Sequence, residues 1–290
     1  MNRSLIASLA AVTVIAVLMA SFAVGTAQIG TSSVTGARAP TQTQIAAVTG
    51  TNGPASSGPL VCGESPIPLG AAGNFAVLAG TTVTNTLKTV VHGNIGVSPG
   101  SAVKGFPPGV VIGGKIDKAN TASANGQTAL VKAYDNGMGR TNCRVTLKTV
   151  NIGGHTLGPG LYFAPSVLSI SSGDLTLTGV GGSGKVFIFQ VTSKLVVTSG
   201  RHVILAGGAL ASNIFWVVGS SATLGSTSIM YGTILAHTSI SMATGAVLHG
   251  KALAHTGAVT LEGNTVFHIS SVVAIVSNLV PSPVLARSFL

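Results

Sequence analysis

The sequence predicts an all-β-dominated fold built as a β-solenoid with a single helix. Three observations predict it. Short apolar bursts with period two are punctuated by Gly, Ser, Asn and Pro, an eighteen-residue unit repeats near the C-terminal end, and one segment alone has helical composition.

The strands come first. Ala76–Ala79, Leu175–Thr178, Val186–Phe189, Leu195–Thr198 and Ile214–Val218 are β-branched or aromatic runs bounded by turn formers. That is the pattern of short strands in an all-β chain.

The repeat then sets the architecture. Residues 214–231, 232–249 and 250–267 align, with His237-Thr238 matching His255-Thr256 and Leu235-Ala236 matching Leu253-Ala254. A period of eighteen is short for a propeller blade and suits one coil with three short faces and three turns. Coils that hydrogen-bond to one another stack about 4.7–4.9 Å apart.

The helix is expected over Asp117–Asn136, where Ala, Leu and Lys replace the β-branched runs. Asp117 would cap its start and Gly137 would take the left-handed stop. Gly126 should weaken its middle.

Strand alternation assigns an outward column. Leu175-Thr176-Leu177-Thr178, Leu195-Val196-Val197-Thr198, Ala222-Thr223-Leu224-Gly225, Ile240-Ser241-Met242-Ala243 and Val259-Thr260-Leu261-Glu262 align, the last with one inserted residue after Thr256. First and third positions point to the core, and second and fourth point outward. The column is then Thr176, Thr178, Thr198, Thr223, Ser241, Ala243 and Thr260, with Val196 interrupting and Lys194 and Glu262 beside it. Its side chains are small, where an ordinary water-facing strand carries Lys, Glu or Gln. On composition alone such a column also fits the β-propensity of Thr.

The ends read differently. Residues 1–28 resemble a secretory signal, with Arg3 before the apolar run Leu5–Val24 and small residues at Gly25-Thr26-Ala27. A membrane anchor is the alternative, but no charged stop-transfer flank follows. Residues 29–60 are a low-complexity Thr, Ser, Ala, Gly and Pro lead-in that cannot bury enough surface to offset its ordering entropy. The folded domain is expected over 61–270. Residues 271–290 are a tail, apolar over SVVAIVSNLV, that would cap the solenoid or attach it to something. The two cysteines, Cys62 and Cys143, are expected to form one disulfide in an oxidising compartment.

Composition narrows function. Fifteen basic residues against five acidic ones give a charge of +10, but the basic residues are scattered without a stripe, which disfavours nucleic acid. Glycoside chemistry needs two carboxylates across a cleft. Asp174 and Glu262, the acidic residues in the repeated region, fall four coils apart, about 19 Å at strand spacing. No GxSxG, HExxH or Walker pattern occurs. His237 and His255 should stack at a solenoid corner, and two imidazoles without a third ligand do not make a metal site. We expect no catalytic residues, no cofactor, no metal and no small-molecule substrate.

The stretches LGAAGNFAVLAGTTVTNT, GNIGVSPGSAVKGFPPG, GPGLYFAPSVLSISSGDLTLTG and GKVFIFQVTSKLVV, followed by VILAGGALASNIFWVVGSS and the repeats to Val266, carry a resemblance. From about Leu69 to Phe267 the chain resembles the secreted microbial ice-binding (antifreeze) proteins. The resemblance implies a discontinuous right-handed β-solenoid, triangular in section, with one long α-helix packed alongside. It also implies a monomer that adsorbs to ice through one flat face and so inhibits ice growth and recrystallisation. That family has no strict ice-binding motif, so the column above rests on alternation alone. The alternative is a secreted adhesive or glycan-binding solenoid.

Overall fold

A computed structural model describes residues 63–180 and 184–269. The expected signal segment, the lead-in, Cys62 and the tail lie outside the described residues.

The chain winds through three faces in turn. After a 3-10 turn at Gly70–Asn74, β1 (Phe75–Ala79), β2 (Thr82–Asn85) and β3 (Val90–His92) lie one on each face. The next circuit is β4 (Asn94–Val97), β5 (Ala102–Lys104), β6 (Val110–Ile112) and then β7 (Ile116–Lys118). The helix α1 (Thr121–Met138) follows. From there the coils are β8 (Val145–Thr146), β9 (Thr156–Leu157), β10 (Gly160–Ala164), β11 (Leu168–Ile170), β12 (Leu175–Thr178), β13 (Phe187–Val191), β14 (Leu195–Val197) and β15 (Val203–Ala206). The last are β16 (Ile214–Val218), β17 (Ala222–Leu224), β18 (Ile229–Ala236), β19 (Ile240–Met242), β20 (Val247–Ala254), β21 (Val259–Leu261) and β22 (Thr265–Phe267).

Every strand pairing is parallel, as stacked coils require. The helix-covered face runs β8-β10-β13-β16-β18-β20-β1-β4-β7. The second face, here the hydroxyl face, runs β11-β14-β17-β19-β21-β2-β5. The third, the ring face, starts with β9-β12-β15. It continues through the His202–Ile229 bridge into the first halves of β18 and β20, then β22, β3 and β6. The stack is therefore discontinuous in sequence. The first strands of the domain sit beyond the last coil, and β1 supplies the side of that coil that β21 and β22 leave open.

The eighteen-residue repeat is a true coil. Ile229–Ala236 pairs residue for residue with Val247–Ala254, and Val247–His249 with Thr265–Phe267. The extra residue after Thr256 is also present, since Ile240 pairs with Val259. In β18 and β20 one strand turns a corner at a glycine. Gly232 has φ +107°, and a Cβ on Gly250 would lie 1.7 Å from the Gly232 carbonyl oxygen. Only glycine lets two coils stack there.

Inward side chains fill the solenoid with Leu, Ile, Val and Phe. Trp216 belongs to this core, stacked on Phe189 at 4.1 Å with its Nε1 donating to the Tyr231 carbonyl at 2.9 Å. A second core lies between the solenoid and α1, where Phe75, Leu78, Leu130, Ala133, Ile188 and Val217 meet.

The helix boundaries differ from the expected Asp117–Asn136. Asp117 ends up in β7, and the cap is Asn120, whose side chain accepts from the Ser123 amide at 3.0 Å while Ser123 Oγ accepts from the Asn120 amide. Asp117 instead accepts from Asn120 Nδ2 at 2.7 Å and so braces the cap. Gly137 is no left-handed stop. It lies buried inside the helix, where a Cβ would come 2.7 Å from Val217 Cγ2. Gly126 likewise faces Phe75, so both glycines serve close approach of helix to sheet.

Candidate functional site

The hydroxyl face is a two-dimensional array. Alternation puts Leu195, Val197, Ala222, Leu224, Ile240, Met242, Val259, Leu261 and Val83 inside. The residue between each inward pair points out. In stacking order the outward row is Ser169, Val196, Thr223, Ser241, Thr260, Thr84 and Lys104. Each is one coil from the next, about 4.7–4.9 Å.

A flanking row lies after each strand. The amides of Thr198, Gly225, Ala243 and Thr86 continue the ladder to Ile170, Val197, Leu224 and Leu261. On the other side stand Ser221, Ser239, Ala258 and Thr82. Charges are three: Glu262 stands in the flanking row between Ala243 and Thr86, while Lys194 and Lys104 lie toward the ends of the stack.

The hydroxyls divide into two groups. Ser221 and Ser239 use theirs internally, accepting from the amides of Ser239 and Ala258 in the next coil at 3.4 and 3.2 Å. Thr198 donates to the Ile170 carbonyl and Ser169 to that of Val150. By contrast, no hydrogen bond among the described residues engages the hydroxyls of Thr223, Ser241, Thr260 or Thr84. Four adjacent coils thus present an unspent hydroxyl at the same position, three of them with a methyl beside it.

The expected column needs one correction. Thr223, Ser241 and Thr260 stand together in the central row, with Thr198 and Ala243 beside it. Thr176 and Thr178 do not. They lie on β12 of the ring face, paired with Ile204 and Ala206. The member of the hydroxyl face in that coil is Leu168-Ser169-Ile170. Both triplets alternate identically, so pattern could not separate them. The error lay in the first step alone: the column advanced twenty residues from Leu175 to Leu195, whereas pairing advances twenty-seven from Leu168 to Leu195, as it does again to Ala222 before the eighteen to Ile240.

Sequence reasoning also missed Thr82, Thr84 and Thr86. Their signal was the alternation in Thr81-Thr82-Val83-Thr84-Asn85-Thr86, but nothing local says that this strand joins the face beside Thr260.

The other candidates are structural. His237 and His255 meet edge to face at 5.6 Å, with His237 5.7 Å from the Tyr134 ring of the helix. Burial, reinforced by the neighbouring His237, lowers the pKa of His255. Among the described residues no three His, Cys, Asp or Glu side chains converge as a metal site. Asp174 holds the His202 amide at 2.9 Å and lies 3.6 Å from Arg201, at the same corner as Glu262 but four coils away from it. Cys143 lies in an exposed turn past the helix at φ 51°. Close by, Arg140 pairs with Glu64 at 3.0 Å, tying the start of the described domain to the helix end.

These features have counterparts. The ice-binding-like family model matches residues 77–267. An ice-binding protein of Flavobacterium frigoris is 41% identical over 214 residues, covering 69% of this chain and 75% of that protein. One from Nostoc sp. is 39% identical over 199 residues, covering 68% and 72%. The crystal structure of an ice-binding protein from an Antarctic biological consortium superposes with a TM-score of 0.69 at 46% identity, over 71% of this chain and 92% of that one. With the discontinuous solenoid, the flanking helix and the family match in agreement, the chain belongs to the ice-binding-like family.

Proposed function

We propose that this protein adsorbs to ice through the hydroxyl face and thereby inhibits ice growth and recrystallisation. The observation that carries the reading is the row Thr223, Ser241, Thr260 and Thr84, with four unspent hydroxyls at one spacing and no charge between them. Ice offers neither a pocket nor a formal charge, so its binder must match water positions over many repeats. Each Thr methyl that leaves water contributes about 0.8 kcal/mol. The array is rigid before contact, so little of that gain is lost to ordering. Adsorption asks for no catalytic group, cofactor or small-molecule substrate, and the basic residues form no nucleic-acid stripe. The glycan-binding alternative would want aromatic faces turned outward, which the central row lacks.

The signal-like residues 1–28 support secretion, and a monomer suffices for adsorption. We infer that Cys62 pairs with Cys143. The support is the Glu64–Arg140 ion pair, which brings the chain just after Cys62 to the turn that holds Cys143.

Ice recrystallisation in a thin frozen film tests the function. At micromolar protein, grains should stay small beside an inert protein of equal size. Grains that coarsen as in the control, with the protein folded, would overturn the reading.

A further inference from the structure

The ring face carries a surface that ice adsorption does not use. Tyr231, His249, Phe267 and His92 occupy one outward position in four successive coils. Their rings stack face to face, with centroids 4.7, 4.9 and 4.7 Å apart and planes within 15°. Beyond His92 the next coil presents Ile112, which is 46% exposed. Ile204, 45% exposed, lies on the strand bridged to β18 at the other end. This is a continuous strip of half-buried rings, two of them imidazoles, with an exposed isoleucine at each end and no carboxylate or ammonium among its six positions.

Its geometry limits what can cover it. Rings stacked on one another turn only their edges outward, so they offer no flat platform for a sugar. Six coils at 4.7–4.9 Å make the strip about 24 Å long, and two outward positions make it about 10 Å wide. The resulting area of about 250 Å² is well short of the roughly 800 Å² per partner of a stable protein interface. It suits a single extended segment, since about 24 Å is the length of seven residues of strand.

Such a segment begins beside it. The described chain ends at Ile269, two residues past Phe267, with the His268 amide held by the His92 carbonyl at 3.0 Å and Lys251 Nζ donating to the Ile269 carbonyl at 2.8 Å. The sequence then runs SVVAIVSNLV over residues 271–280, ten residues without charge, before Pro281 and Pro283. Tethering within one coil of the strip gives an effective concentration of order millimolar, so weak contacts suffice.

We propose that residues 271–280 dock on the ring ladder of their own chain, covering the edges of Phe267 and its neighbours. The test compares the full chain with the double variant V273D/I275D and with a chain ending at Ile269. The readouts are the rate at which diethyl pyrocarbonate modifies His249 and His92, followed by peptide mass spectrometry, and the binding of an apolar fluorescent dye. Both altered chains should be modified several-fold faster and bind more dye, at a rate independent of protein concentration. Their ice recrystallisation should be unchanged, because the hydroxyl face is untouched. Equal rates in all three proteins would overturn the proposal. So would protection that disappears on dilution, which would assign the strip to a second copy. Protection of the wild type only in the presence of phosphatidylcholine vesicles would assign the segment to a membrane instead, and would also overturn it.

Discussion

Replacing Thr223 by Tyr, and separately Thr176 by Tyr, tests the register of the ice-contact face. Both positions are outward threonines in the middle of an L/A-T-L triplet, and both would accept a ring without disturbing the core. They differ in face, and Thr223 is exposed where Thr176 is half-buried. At Thr223 the ring would stand proud of Val196 in the previous coil and Ser241 in the next, lifting both from a flat crystal surface. The contact then loses the methyl of Thr223 and the two of Val196, about 2.4 kcal/mol at 0.8 each. A factor of ten per 1.4 kcal/mol makes that roughly fifty-fold weaker adsorption. Thr176 lies between Thr156 and Ile204 on the ring face, so its ring should cost adsorption nothing. The assay is the lowest concentration that stops recrystallisation, read beside a thermal melt. Surface changes of this kind shift stability by about 0.5 kcal/mol or less. Equal loss in both variants, or loss only in Thr176→Tyr, would refute the assignment of the ice face.

Three further outcomes follow from the packing. Gly126→Ala should destabilise: helix propensity gains up to about 1 kcal/mol, but a Cβ 2.7 Å from the Phe75 ring overpacks by about 1–3, and a lowered urea midpoint would show it. Burial lowers the pKa values of His249, His255 and His268. Below the usual value of 6.5 the unfolded chain therefore binds more protons than the folded one. Stability should fall as pH drops through 6.5, and a melting temperature flat from pH 7 to 5 would contradict this. Reducing the proposed Cys62–Cys143 bond should cost about 2–4 kcal/mol while leaving recrystallisation inhibition intact below the new melting point, and free thiols titrated in the untreated protein would rule the pairing out.

The sequence made some of this legible and hid the rest for identifiable reasons. Thr223, Ser241 and Thr260 could be aligned because their coils are eighteen and nineteen residues long, and side-chain alternation survives such regularity. Thr176 was misplaced because longer loops stretch the preceding coils to twenty-seven, and loop length leaves no trace in strand pattern. The helix was visible, yet its cap was not. Asp117 and Asn120 are both plausible caps, and only the course of β7 decides between them. Gly137 looked like a terminator because sequence cannot distinguish a glycine that ends a helix from one that lets Val217 approach it. Thr84 was out of reach altogether, since its partner Thr260 belongs to the opposite end of the domain.

That last pairing bears on function. The proposed ice-contact row crosses a seam between pieces of chain that meet only on folding, β21 on one side and β2 on the other, and a slip of one residue would turn Thr84 inward. Buried polar groups fix the register. Thr89 Oγ1 donates to Asn85 Oδ1 at 2.6 Å and accepts the Asn264 amide at 3.0 Å, while Asn264 Nδ2 reaches the carbonyls of Ala243 and Ala246. Asn85 Nδ2 donates onward to the Gly105 carbonyl in the next coil. Asn85, Thr89 and Asn264 are almost fully buried, so a shifted pairing would strand them unsatisfied where that is most costly. An apolar seam would be as well packed but could slide. The polar clamp makes the seam continuous with the regular coils, and this lets Thr260 and Thr84 act as neighbours in one rigid array.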